Sequence, residues 1–348
     1  MRSLPHAPIR RLSVLVATLP MLLGSAACGA VTSGSPEVAA PETNARASVN
    51  DRHVLLISLD GFNPKSLALL GQKQTPNLHK IIRRGATTLN ARTLRERTQT
   101  LPNHTGMITG RRVDPAEGGH GVWFNTDPGT TVSDAAGEPV ASVFDAVHRA
   151  GGTTALFTSK DKFRYFQRSW PDTIDRFTYQ SDNAKLMKST LKDLKTRRAF
   201  TMLHLSAPDA AGHRYGFLSP AYLRVVKRVD ALIGKLLTKL RKRPELAEGL
   251  VVLVTADHGG PRNHKLHSKV NLRANYRVPL LAWGDGVARG DLYRLNPGFR
   301  DPGTKRTGYA GTQPIRNGMV ANLSTSLLGL DAVPGSTLDP AQQLDVLR

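Results

Sequence analysis

Five short, mostly apolar runs recur along the chain, at Val54–Leu59, Thr153–Phe157, Phe200–Leu205, Leu250–Val254 and Val278–Trp283. None alternates polar with apolar positions, so each predicts a strand buried on both faces, as in parallel sheets. Between them apolar residues return at helical spacing, predicting helices over Thr75–Arg84, Val140–Ala150, Asn183–Arg197 and Pro220–Arg241. Pro76 in a first turn and Gly151 just past an end are suitable capping chemistry. Alternating strands and helices predict an α/β fold: a doubly wound, mostly parallel sheet with helices on both faces. A stretch from Ser159 to Asp182 carries Phe163, Tyr165, Phe166, Trp170, Phe177 and Tyr179. It reads as a small inserted subdomain, or as a lid that stacks on an apolar or nucleobase group.

The N-terminus breaks this pattern. Arg2, Arg10 and Arg11 precede an apolar run from Leu12 to Leu23, followed by Ser25-Ala26-Ala27-Cys28. Such an order predicts a lipoprotein-type signal peptide over 1–27, with the Cys28 thiol carrying the lipid after cleavage. Ser25 stands where leucine is more usual, and an ordinary secretory signal is the alternative. Residues 28–50 are rich in Ser, Ala, Pro, Thr and Gly and read as a flexible tether, leaving 51–348 as the catalytic domain. The expected location is therefore outside the cytoplasm, on the membrane through a lipid anchor, or secreted if Cys28 is not lipidated. Cys28 is the only cysteine, which excludes an intramolecular disulfide.

The net charge of +21 adds a preference for anionic partners, and removal of residues 1–27 takes only three arginines, leaving +18. A small anionic substrate fits this balance, and nucleic acid or another polyanion stays open as a partner. No protein partner is expected.

Three of the predicted strands run into an aspartate: Asp60-Gly61 after Leu59, Asp209 shortly after Leu205, and Asp257-His258-Gly259 after Val254. In an open α/β sheet the site lies beyond the carboxyl ends of the strands, so three strands deliver acids to one rim. His213 follows Asp209 by four residues, and His258 follows Asp257 directly. Oxygen and imidazole donors in this number suit zinc, and two ions would account for all of them. Thr98-Gln99-Thr100-Leu101-Pro102-Asn103-His104 lies between the first two acids. A threonine at a helix start beside a metal gains ionisation and a favourable dipole, although the same position suits a simple N-cap.

The ordered set Asp60-Gly61-Phe62, Thr75-Pro76-Asn77-Leu78, Thr100-Leu101-Pro102-Asn103-His104, Pro208-Asp209 with Gly212-His213, and Asp257-His258-Gly259 resembles the alkaline-phosphatase superfamily. Within it, the Thr-Leu-Pro-Asn-His block is similar to the type I phosphodiesterase and nucleotide pyrophosphatase branch. The resemblance implies two Zn²⁺, or other divalent ions. One would be held by Asp60, Thr100, Asp257 and His258, the other by Asp209, His213 and a downstream histidine. For that last ligand His267 is preferred over His264. Asn125, closing Gly119-His120-Gly121-Val122-Trp123-Phe124-Asn125, matches the family's phosphoryl-binding asparagine.

What the resemblance implies chemically is a zinc-dependent hydrolase of phosphodiesters or nucleotide pyrophosphates acting through a phosphothreonine on Thr100. Monoesters carry one more negative charge and need a further cation, for which Arg95 and Arg97 are candidates. A phosphomonoesterase or phosphonate hydrolase of the same fold, and a non-catalytic basic envelope lipoprotein binding anionic polymers, are the alternatives. Formylglycine sulfatase chemistry is disfavoured, since position 100 is threonine and the sole cysteine lies in the signal.

Overall fold

The computed structural model describes residues 48–348. The signal peptide, Cys28 and nearly all of the tether lie outside the described residues. Among the described residues no helix is long and apolar enough to cross a membrane.

Among the described residues eight strands form one sheet: β1 His53–Leu59, β2 Ala86–Arg92, β3 Thr154–Thr158, β4 Arg176–Tyr179, β5 Phe200–Leu205, β6 Leu250–Thr255, β7 Arg277–Gly284 and β8 Gly290–Asp291. Their order is β4-β3-β5-β1-β6-β7-β2-β8. β3, β5 and β6 are buried at every position, and β1 at all but the first. Such strands need helices on both faces of the sheet, the pattern read from their unbroken apolar runs. The doubly wound, mostly parallel α/β architecture is therefore the one expected.

Strand β7 departs from the expectation of a parallel strand. It pairs antiparallel with both β6 and β2. Its apolar run is buried like the others, so composition does not reveal direction. The chain reaches it through a long irregular loop, 256–272, and a single short helical turn, not a crossover helix.

Helix Pro220–Lys242 buries Tyr222, Val226, Val229, Ile233, Leu236 and Leu240 on one stripe. The stripe includes the carboxylate of Asp230, which accepts from the backbone of Leu78 at 2.7 Å and from the Asn77 amide at 2.9 Å. Thr75 makes no side-chain cap on helix Pro76–Arg84, so Asp230 caps that helix from another element. The Thr75-Pro76-Asn77-Leu78 motif thus serves architecture.

The aromatic stretch after β3 forms helix Arg164–Ser169 and then β4, the outermost strand on that side of the main sheet. Phe163, Tyr165, Phe166 and Trp170 are buried, and Phe163 stacks on the His204 ring with centroids 4.3 Å apart.

Candidate active site

The adjacent parallel strands β5, β1 and β6 end on the same rim, and there Asp60, Asp209 and Asp257 come together. The turn after β1 is held by three contacts. Gly61 N–H donates to Asp257 Oδ1 at 3.0 Å, Tyr222 OH donates to Gly61 O at 2.8 Å, and Asn63 N–H donates to that same hydroxyl at 3.0 Å. Gly61 has φ +68°, and a Cβ there would sit 2.8 Å from the Cα of Asp209. Glycine therefore lets the β1 turn and helix Ala207–Tyr215 bring two carboxylates side by side.

Histidines complete the cluster. His258 Nε2 lies 3.2 Å from Asp257 Oδ2, 3.5 Å from Asp60 Oδ1 and 3.9 Å from Asp209 Oδ1. His213, one helical turn after Asp209, has Nε2 at 3.3 Å from Asp209 Oδ1 and 3.2 Å from His267 Nε2. His267 is buried in the cluster, whereas His264 is exposed. Its Nδ1 donates to Thr98 O at 2.7 Å while Thr98 Oγ1 donates back to His267 O at 2.6 Å. His258 Nδ1 likewise donates to Gly259 O at 2.9 Å. With Nδ1–H held by carbonyls, both rings turn Nε2 lone pairs inward, as metal-ligating histidines do.

The donors fit divalent cations. Asp60 Oδ1, Asp209 Oδ1, Asp257 Oδ2 and His258 Nε2 are all buried with no hydrogen-bond partner, which is costly unless a cation satisfies them. Ligand atoms of Asp60, Asp257 and His258, and of Asp209, His258 and His267, lie within 4.8 Å of one another. Burial, reinforced by the Asp60 charge, pushes Asp257 well above the usual carboxylate range. For Asp60 burial acts in the same direction but is outweighed by Lys160 and His204, which hold it well below that range. Burial lowers His267 to about 3, which keeps its imidazole neutral and able to ligate.

Thr100 is buried at the first position of helix Thr100–Thr109, where the helix dipole favours negative charge. Asn125 Oδ1 accepts from Leu101 N–H at 3.0 Å and from Lys162 Nζ at 3.2 Å, fixing the amide over this helix start.

Four residues that the sequence did not single out for the site also belong here. Lys160 Nζ lies 2.6 Å from Asp60 Oδ2, 2.7 Å from Asp209 Oδ2 and 3.3 Å from Thr100 Oγ1. Lys162 Nζ donates to Asn125 O at 2.7 Å. Lys160 is thus in contact with Thr100 and Lys162 with Asn125, whereas Arg95 is exposed and Arg97 lies over the Trp123 ring. The available signal was that Ser159-Lys160-Asp161-Lys162 directly follows β3, a neighbour of the acid-bearing strands. His204 Nε2 donates to Asp60 Oδ2 at 2.9 Å from inside β5, and His104 bridges Thr100 O at 2.8 Å and Ser58 Oγ at 2.7 Å.

A sequence profile of the family described as type I phosphodiesterase / nucleotide pyrophosphatase matches residues 54–310. Human bis(5'-adenosyl)-triphosphatase ENPP4 is 27% identical over 239 residues, covering 59% of this chain and 47% of that protein. Human ectonucleotide pyrophosphatase/phosphodiesterase family member 1 is 27% identical over 223 residues, 59% of this chain and 23% of that one. The match thus spans less than half the length of these curated relatives. Among solved structures, murine ectonucleotide pyrophosphatase/phosphodiesterase 5, in an inactive threonine-to-alanine form with AMP, superposes with TM-score 0.62 at 16% identity. It covers 85% of this chain and 100% of that one.

Proposed function

The chain belongs to the type I phosphodiesterase / nucleotide pyrophosphatase family, and from that premise we propose that it hydrolyses phosphodiesters and nucleotide pyrophosphates with Thr100 as nucleophile. The observation that carries the reading is the set of four buried, unpartnered donor atoms on Asp60, Asp209, Asp257 and His258, on the rim where Lys160 reaches the Thr100 hydroxyl. Asp60, Asp257 and His258, joined by Thr100, would hold one divalent cation, and Asp209, His213 and His267 a second, zinc by the donor set. When bound, such a pair acts as a Lewis acid and neutralises charge on phosphoryl oxygens.

The chain's own groups do the rest. The helix N-terminus and the Lys160 ammonium lower the cost of a Thr100 alkoxide. That oxygen forms a bond to phosphorus as the bond to the leaving alkoxide or phosphate breaks, giving a phosphothreonine. Water then attacks the phosphorus and returns Thr100. Asn125 Oδ1 is occupied by Leu101 N–H and Lys162, which leaves its Nδ2 free to donate to a phosphoryl oxygen. The test is hydrolysis of bis(p-nitrophenyl) phosphate by the zinc-loaded protein. Thr100→Ala should keep its zinc and lose at least about a thousandfold in kcat, the scale of removing an enzyme's nucleophile; normal turnover by that variant removes the reading.

A phosphomonoesterase is the second reading, favoured by Lys160 and Lys162. Two ammoniums at the phosphoryl position suit the additional negative charge of a monoester. Lys162→Ala should then lower kcat/KM for p-nitrophenyl phosphate more than for the diester, whereas equal losses leave the diesterase alone. Lipid attachment at Cys28 and action outside the cytoplasm belong to the same proposal, supported by the N-terminal sequence. Incorporation of labelled fatty acid that is lost in Cys28→Ala tests it.

A further inference from the structure

The lysines of two packed helices are gathered into one groove. Lys185, Lys188, Lys192 and Lys195 follow one another at three- and four-residue steps along helix Asn183–Asp193 and the short turn after it. Lys235, Lys239 and Lys242 do the same on the last turns of helix Pro220–Lys242. The two helices pack together, and their lysines line the walls of a groove of about 1460 Å³ whose other lining residues include Ala184, Ala231 and Gly234. Among the described residues no acidic side chain lines it. Of the acids nearest in sequence, Asp193 pairs with Arg176 and Arg198 and Asp182 caps its own helix, while Glu245 pairs with Arg243, which also lines the groove. Holding seven ammoniums together costs self-repulsion that folding does not need, so the arrangement calls for an anionic occupant.

We propose that this groove binds a single-stranded phosphodiester chain lengthwise, by its backbone charges and not by its bases. Three features select that occupant. Among the described residues no aromatic side chain lines the groove, so none of them offers a platform for base stacking. Seven of the eight cations are lysines, which act as point charges and do not read base edges as a guanidinium fork does, and the eighth, Arg243, is paired with Glu245. The groove runs between two packed helices and is not a flat face, which suits a thin chain lying along it, whereas a planar membrane would touch only its rims.

The groove is continuous with a neighbouring depression. At Ala184 it meets a second depression of about 530 Å³ lined by Ser206, Arg214 and Arg228, and Arg214 directly follows His213. A strand lying along the lysines can thereby continue over Arg228 and Arg214. Binding is independent of the catalytic reading and is measured without turnover.

The test uses the full chain in chelator, with a fluorescein-labelled abasic phosphodiester oligomer and an oligothymidylate of equal length, read by fluorescence anisotropy across a salt series. The two probes should bind within about threefold of each other. The slope of log K against log salt should be about −0.7 for each phosphate neutralised, or about −3 to −4 for the four to six that the groove can engage. Lys188→Gln/Lys192→Gln/Lys239→Gln should weaken binding at least tenfold at low salt and make the slope shallower by about 2. Hydrolysis of bis(p-nitrophenyl) phosphate by the zinc-loaded variant should be unchanged, which reports its fold. If that variant loses both activities, Lys185→Gln/Lys235→Gln/Lys242→Gln takes its place. Undiminished binding by the folded variant overturns the proposal. So does lysine-dependent capture by phosphatidylglycerol vesicles that the strand cannot compete, which would assign the face to a membrane.

Discussion

Replacing Gly61 with alanine probes the close approach on which the carboxylate cluster depends. The new Cβ would stand 2.8 Å from Asp209 Cα and 2.9 Å from Asp209 Cβ. Carbon atoms pack best near 3.5–4.0 Å, so the β1 turn and helix Ala207–Tyr215 must separate by about 0.7 Å. An L-residue at φ +68° costs about 1–2 kcal/mol, and overpacking a filled space adds about 1–3 kcal/mol. The folded state should therefore lose about 2–5 kcal/mol in urea unfolding. Because the displacement moves Asp60 against Asp209, kcat for bis(p-nitrophenyl) phosphate should fall by about tenfold to a hundredfold. Gly137→Ala is the control. It shares the left-handed backbone, with φ +75°, but its Cβ meets nothing within 4 Å. That variant should lose only about 1–2 kcal/mol and keep full activity. If the two variants lose equal stability and both stay active, the approach of the two elements does not govern the site, and the steric argument is wrong.

Three further outcomes follow from the same structure. Asp230→Ala strips the acceptor from Asn77 and Leu78 in a buried contact and should cost about 2–4 kcal/mol, while kcat at low temperature stays near that of the parent; unchanged urea unfolding would dismiss the cross-element cap. His120 is fully buried and lowered to about 3, so it folds neutral and must charge on unfolding below its ordinary value of 6.5. Its contribution is complete above pH 6.5 and is lost as pH falls toward 3, at up to about 1.4 kcal/mol per unit. Urea unfolding of the parent against His120→Asn should show the two curves converging through that window, and parallel curves would contradict the assignment. Chelation should lower the thermal midpoint, since each ion at a hundredfold excess over its Kd contributes about 2.7 kcal/mol to the folded state; calorimetry with and without added zinc reads this directly, and identical midpoints would argue against a resident metal.

Much of this was legible along the chain. Buried parallel strands announce themselves because both faces are covered, so β1, β3, β5 and β6 appear as unbroken apolar runs. Helix Pro220–Lys242 announces itself by its 3.6-residue stripe and starting proline. Asp60, Asp209 and Asp257 could be assigned to one rim because each follows a strand of the same sheet, and strand direction alone fixes which end they occupy. β2 was missed because Ala86–Arg92 is half polar, and β4 because it is a short edge strand with only partial burial.

What the sequence determined by itself is therefore local: the periodicities and the acids at strand ends. The direction of β7, the arrival of Lys160 at Thr100 and of Lys162 at Asn125, and the gathering of lysines into one groove were decided only by the tertiary structure. Each depends on how far apart two elements finally sit. Separations of that kind are set by the packing of side chains distant in the chain, which no local period encodes.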